Sequence, residues 1–245
     1  MDIGGTRARI YEFEDGLRLG QLEIELPVVD RKLTTEENSV RRVQAIARLV
    51  NYFSSERKVS RIATACAGRK DPDRTSVTLV NFAVPLPGLT ATVEAETGTS
   101  IGPLFDDDVA AAWGHLVSPK SPLGEGGLNT ILLTAGTGLA EALWVNGEFV
   151  DKSDYERAYD LGLEEKLRGE GWRASGNPCE ALCELVNLRR QRYPLDQVVL
   201  SGRFVHMDRE CLPYLQNRLN LEVHLVDLPE APALGALQLL QASAS

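Results

Sequence analysis

Apolar and polar residues alternate along Thr6–Phe13, with Ala8, Ile10 and Glu12 on one face, and again along Leu17–Leu26. A period of two is that of a half-buried strand, and the turn Glu14-Asp15-Gly16 between the two stretches makes them a hairpin. The period then lengthens. Val40, Val43, Ile46, Ala47, Val50 and Phe53 form a stripe at i, i+3, i+4 spacing, which predicts a helix over Thr34–Phe53. Its start, Thr34-Thr35-Glu36-Glu37, puts hydroxyls and acids where a helix N-terminus wants them, and Arg41-Arg42 reads as part of its solvated face. A short buried strand follows at Val59–Ala65, ending in Cys66-Ala67-Gly68, then a helix at Thr90–Thr97 and a strand at Ser100–Phe105.

The second half repeats the alternation. Asp106–Val117 reads as an Ala-rich helix, and Asn129–Ala135 and Ala140–Trp144 as two apolar strands around Gly136-Thr137-Gly138, with a further turn at Asn146-Gly147. Helices are expected at Asp154–Gly171, Asn177–Gln191, Met207–Leu219 and Pro232–Leu240, and strands at Gln197–Leu200 and Leu221–Val226. No internal repeat or low-complexity segment breaks this order. Strands alternating with helices, joined by Gly-rich turns, place the chain in the α/β class.

Composition narrows the partners. Of 245 residues, 26 are basic and 35 acidic, a net charge of −9 that opposes non-specific binding to nucleic acid or anionic lipid. No apolar run approaches the ~18–20 residues of a membrane span, and no charged segment leads into an apolar stretch at the start, so neither a membrane partner nor a secretory signal is expected. Four cysteines in a chain this long do not make a disulfide scaffold. Reduced thiols in a cytoplasmic protein are the expectation. Cys179 and Cys183, at i, i+4, read as buried helix thiols rather than metal ligands, because no third ligand has suitable spacing. His115, His206 and His224 are isolated and read as structural or surface residues.

Four segments carry chemistry. In Asp2-Ile3-Gly4-Gly5-Thr6, paired glycines let a backbone approach a phosphate, and a carboxylate beside the turn can hold hydrated magnesium; an ordinary Gly-Gly hairpin turn is the other reading. Thr134-Ala135-Gly136-Thr137-Gly138 is a second glycine–hydroxyl turn, and two such turns able to face one polyphosphate are not what ordinary loops predict. In Asp106-Asp107-Asp108, capping and solvation explain one or two carboxylates; the functional reading makes one a general base and another an acceptor from a polyol. Val198–Gly202 is a buried strand ending at a small-residue turn, with room for a flat ring.

In this order and at these separations, the segments resemble the ROK family of repressors, uncharacterised reading frames and sugar kinases. The resemblance is carried by DIGGT at Asp2–Thr6, IATACAG at Ile62–Gly68, NFAVPLPG at Asn81–Gly88, DDDVAAAWG at Asp106–Gly114, GTGLAEALWVNG at Gly136–Gly147, VVLSG at Val198–Gly202 and APALGALQLL at Ala231–Leu240. It implies a two-lobed, ribonuclease-H-like fold of the actin and sugar-kinase type. An N-terminal lobe over residues 1–106 and a C-terminal lobe over 107–245 would flank a cleft, with the last helix, about 232–241, packing back on the first lobe. The implied activity is ATP-dependent phosphorylation of a hexose or related sugar; a catalytically impaired sugar- or nucleotide-binding protein of the same fold is the alternative. By this resemblance Asp107 is the general base. Asp106, standing where the family has Asn, binds sugar with Gly68, Asn81 and Glu164. Gly4, Gly5, Thr6, Gly136, Thr137 and Gly138 hold phosphates, Gly202 borders the adenosine, and Asp2 orients Mg2+. A homodimer is the family's usual state. Zinc is not expected, because the family's cysteine-rich motif is absent, as is Glu-x-Gly-His after Gly147; without a helix-turn-helix ahead of DIGGT, a repressor is disfavoured. Two departures carry structural expectations. Only Met1 precedes Asp2, so the strand that the family places ahead of this turn is expected to be missing. Glu141 replaces a glycine, which sets a carboxylate unfavourably near a triphosphate.

Overall fold

In the computed structural model, which describes residues 1–79, 84–136, 138–156, 158, 161–167, 178–206 and 211–243, the chain divides into two units by its contacts: Met1–Val117 with Glu230–Ser245, and Ser118–Pro229. The first unit is built on a sheet of β1 (Asp2–Ile3), β2 (Arg7–Glu14), β3 (Leu17–Glu25), β4 (Thr64–Cys66) and β8 (Leu104–Asp106), in the order β3-β2-β1-β4-β8. Of the strand expected to be missing, two residues are in place. Asp2 and Ile3 pair antiparallel with Arg9 and Ala8 and parallel with Ala65 and Cys66. Met1 is buried, its carbonyl accepts from the Ala65 N–H (2.9 Å) and its ammonium donates to the Ala63 carbonyl.

Helix α1 (Thr35–Arg57) packs on this sheet. Thr34 caps it reciprocally with Glu37: the Glu37 N–H donates to Thr34 Oγ1 (3.1 Å) and the Thr34 N–H to Glu37 Oε2 (2.7 Å). Val43, Ile46, Ala47, Val50 and Phe53 are buried as the stripe requires, but Val40 is exposed. Its place is taken by Asn38, whose amide donates to the carbonyls of Asp30 and Thr34 (3.0 Å each), so the first turn faces the preceding loop rather than the core. After β4 comes a small antiparallel sheet that periodicity does not predict: β5 (Arg69–Lys70), β6 (Val77–Leu79) and β7 (Val84–Leu86). Strands of two or three residues are too short to display alternation. Helix α2 (Leu89–Thr97) then leads to β8 and directly into α3 (Asp107–Val117).

Helix α7 (Ala231–Ala242) packs on α3 with backbones in contact: a Cβ on Gly235 would lie 1.7 Å from the Ala110 carbonyl oxygen, and one on Gly114 2.0 Å from that of Ala231. This contact holds α3 in the first unit, so the contacts divide after Val117 and not at the 106/107 junction expected from the sequence.

In the second unit, β9 (Thr130–Ala135), β10 (Leu139–Val145), β11 (Glu148–Phe149), β12 (Gln197–Gly202) and β13 (Glu222–Val226) take the order β11-β10-β9-β12-β13. This is the first unit's plan again: a meander of three antiparallel strands whose innermost member begins a parallel run of three. The repeated plan is the ribonuclease-H-like arrangement. Its core joins Ile131, Leu133, Val198 and Leu200 to Leu182, Leu185 and Val186 of α5 (Pro178–Arg190) and Leu215 and Leu219 of α6 (Cys211–Leu219). Of the helix expected over Asp154–Gly171, the described residues are α-helical at α4 (Glu164–Leu167) alone, Asp154 closing a short 3-10 turn. The expectation of reduced thiols fails for one pair. Side-by-side packing of α5 and α6 brings the Cα atoms of Cys179 and Cys211 to 5.8 Å, and the two form a disulfide, while Cys66 and Cys183 are free and buried. Among the described residues, no helix is long and apolar enough to cross a membrane.

Candidate functional site

Three parallel strands of the first unit end in register at Ile3, Cys66 and Asp106. The segments that follow those ends, Gly4-Gly5-Thr6, Ala67-Gly68 and the start of α3, therefore share one edge of the sheet, where α/β folds bind their ligands. The Gly4 N–H donates to the Arg7 carbonyl (2.9 Å), which closes the first turn. Gly68 has φ +107°, and a Cβ there would come within 2.3 Å of the Thr78 carbonyl oxygen, so only glycine lets β5 fold against β6. Asn81 lies outside the described residues.

The electrostatics of this edge are those of crowded carboxylates. Burial pushes Asp2 up to about 6, helped by the nearby charge of Asp107 and opposed by Arg9. Asp107, first residue of α3, is raised by burial and by Asp108, with Lys70 pulling the other way. Asp106, last residue of β8, is ion-paired: Lys70 Nζ donates to Oδ1 at 2.8 Å, and Arg74 Nη2 stands 4.0 Å from Oδ2. Behind the glycine turn, Arg42 donates from Nη1 to the Gly5 carbonyl (2.9 Å) and is 1% exposed. It does not belong to a solvated face, as the Arg41-Arg42 pair suggested. The signal was there: Arg42 lies four residues before Ile46, on the buried side of α1. Lys70 had no such signal, since the carboxylate it pairs with, Asp106, is remote in sequence.

In the second unit, the parallel register pairs Gly202 with Ala135, so the end of β12 adjoins the turn that opens at Gly136. The approach is close: Gly202 has φ +67°, and a Cβ would meet the Ala135 carbonyl oxygen at 2.3 Å. The Gly136 N–H donates to the Gly138 carbonyl (2.8 Å), while Thr137 lies outside the described residues. Glu164 opens α4, its side chain lying outside what is described. Glu141 is not a carboxylate aimed at phosphate. It is buried, and Arg189 Nη2 donates to its Oε2 at 3.0 Å; the guanidinium also donates to the Glu156 carbonyl and lies 4.8 Å over the Tyr155 ring. The alternation of β10 turns this side chain inward, where an arginine neutralises it.

No family model matches the chain. An N-acetylmannosamine kinase of Vibrio cholerae serotype O1 is 28% identical over 151 residues, 60% of this chain and 47% of that protein, so the chain spans about half the length of the curated relative it matches. An inorganic polyphosphate/ATP-glucomannokinase from Arthrobacter sp. strain KM is similar in structure with a TM-score of 0.71, at 18% identity, over 99% of this chain and 97% of that one. A ROK family glucokinase from Streptomyces griseus, solved with glucose and AMPPNP, gives a TM-score of 0.62 at 18% identity over 97% of each chain. The resemblance that the motifs carry is matched by the architecture, and the fold is that of the ROK sugar kinases.

Proposed function

We propose that this protein is an ATP-dependent sugar kinase that phosphorylates a hydroxyl of a hexose or related sugar. The observation that carries the reading is the shared sheet edge of the first unit, where the Gly4–Thr6 turn, Asp2 and, at the start of α3, Asp107 stand together. Phosphoryl transfer needs positioning and charge neutralisation more than covalent chemistry, and this edge supplies the polar groups for both. In this reading Asp107 accepts the proton of the attacking hydroxyl. A carboxylate raised by burial is a better base than an exposed one. The sugar lies against Asp106 and Gly68, with Asn81 and Glu164 as further contacts, and the N–H groups of Gly4, Gly5 and Thr6 and of Gly136, Thr137 and Gly138 hold phosphates, with Gly202 at the adenosine.

Among the described residues no group of three His, Cys, Asp or Glu side chains forms a metal cage. Magnesium needs none, because it takes one or two carboxylates and completes its shell with phosphate oxygens and water. Asp2, raised to about 6 by burial and by Asp107, fits that role, since a dication relieves the repulsion between the two carboxylates. When bound, the ion neutralises charge on the transferring phosphates. The homodimer of the family and a cytoplasmic setting belong to the same proposal.

The test is Asp107→Asn. Phosphoryl transfer from ATP to sugar should fall by about 100-fold or more, while calorimetric sugar binding persists; full activity in that variant would refute the base. The second reading, a protein that binds sugar or nucleotide without turnover, is favoured by Asp106 being tied to a lysine where the family has a neutral amide. Binding of glucose, mannose or N-acetylmannosamine without product would establish it.

A further inference from the structure

The Lys70 side chain is 7% exposed, and an ammonium has three protons to place. Three acceptors face it: the carbonyl of Cys66, the carbonyl of Gly68 at 2.9 Å and Asp106 Oδ1 at 2.8 Å. Nothing of its donor capacity is left over for a ligand. The loop that carries it is held from both sides. Gly68 packs against Thr78, and Asp71 accepts from the Thr75 N–H (2.7 Å), the Ser76 N–H (3.0 Å) and the Thr75 hydroxyl (2.9 Å), which closes the connection from β5 to β6. The lysine therefore meets Asp106 in a prearranged geometry. The second carboxylate oxygen, 4.0 Å from Arg74 Nη2, is beyond hydrogen-bond reach of that side chain, and Asp106 keeps 42% of its side chain exposed.

We propose that Lys70 is a positioning residue: by capping Asp106 Oδ1 it fixes the carboxylate and leaves Oδ2 as a pure acceptor for one donating hydroxyl of the sugar. The inference rests on the sugar-kinase reading and deepens it. A neutral amide at position 106 could both donate and accept; a capped carboxylate can only accept. The site then selects a sugar bearing a free O–H at that position over its deoxy or O-methyl counterpart. Lys70 also supplies the positive charge that lets a carboxylate stand beside Asp107.

The experiment compares wild type, Lys70→Met, Asp106→Asn and the double variant. Calorimetry with glucose, mannose and N-acetylmannosamine, and KM and kcat for sugar and for ATP, are the readouts. Lys70→Met should weaken sugar binding by about tenfold or more, the worth of one charge-assisted hydrogen bond, and leave the KM for ATP unchanged. Adding Asp106→Asn should restore most of the sugar affinity, because the amide needs no counter-charge. Unchanged sugar affinity in Lys70→Met overturns the inference alone. So does a parallel loss for both substrates with no rescue, which would make the lysine merely structural. A wild-type protein that neither binds nor phosphorylates any of the sugars overturns the kinase reading, and this inference with it. Should Lys70→Met not fold by circular dichroism, Lys70→Gln replaces it; if neither folds, Lys70 is a stability residue and the inference falls.

Discussion

His115 faces inward from α3 with none of its surface in solvent, and burial lowers its pKa to about 4, against a small opposing pull from Glu230. An unfolded histidine titrates near 6.5, so between about 4 and 6.5 the unfolded chain binds the proton and the folded one does not. Stability from this residue is complete above that window and declines as pH falls through it, by about 2 kcal/mol at pH 5. Asp2 acts in the opposite sense. Its folded value of about 6 lies above the unfolded one, so its contribution is complete below the ordinary carboxylate range and is lost as pH rises through 6. The two partly cancel, and a single titration of the wild type would hide both. Urea unfolding of wild type and His115→Gln at pH 7.5 and pH 5 separates them: the wild type should lose about 2 kcal/mol more than the variant across that interval. Glu141 gives a second residue-scale prediction. Its removal leaves Arg189 charged and buried, a loss of roughly 3–5 kcal/mol for Glu141→Ala by urea unfolding. Affinity for ATP should not improve in that variant, as it would if the carboxylate repelled a triphosphate.

At the scale of elements, the crossing of α3 and α7 depends on two glycines that no periodicity singles out. In Gly235→Ala the new methyl would lie 1.7 Å from the Ala110 carbonyl oxygen, which is main chain and cannot swing aside, so the helices must part. Overpacking of this kind costs about 1–3 kcal/mol or more, and a thermal melt should fall by at least several degrees. The sequence announced both helices, because DDDVAAAWG opens with acids and APALGALQLL is apolar, but not their mutual contact. The same limit applies to the Lys70 tie and the Glu141–Arg189 pair. Each joins residues at least 36 positions apart, and only the folded chain makes them neighbours. Elements with a clear period, such as α1, the β2–β3 hairpin and β12, were legible with ends displaced by a few residues. The sheet of β5, β6 and β7 was not, because a two-residue strand has no period to read.

For the molecule as a whole, strand alternation and the glycine turns were enough to read an α/β chain. The resemblance anticipated that the last helix returns to the first unit but not that α3 stays there with it, so the division falls after Val117. Ala236 of α7 covers Ala65, Phe105 and Ala110, the face of the sheet edge that carries Asp106 and Asp107. The second unit is a continuous stretch with its own core, from Ile131 to Val223. Truncation after Pro229 should therefore act unevenly. Loss of α7 uncovers small apolar residues that α3 cannot cover alone, so amide hydrogens of β4, β8 and α3 should lose their protection from exchange. Those of β9 and β12, each paired on both sides within the second unit, should retain theirs. Equal loss in both sets would mean that the chain unfolds as one cooperative block. The uneven result would place the carboxylates of positions 106 and 107 under the control of the last helix, and any sugar phosphorylation would disappear with it while the Gly202–Ala135 contact stayed intact.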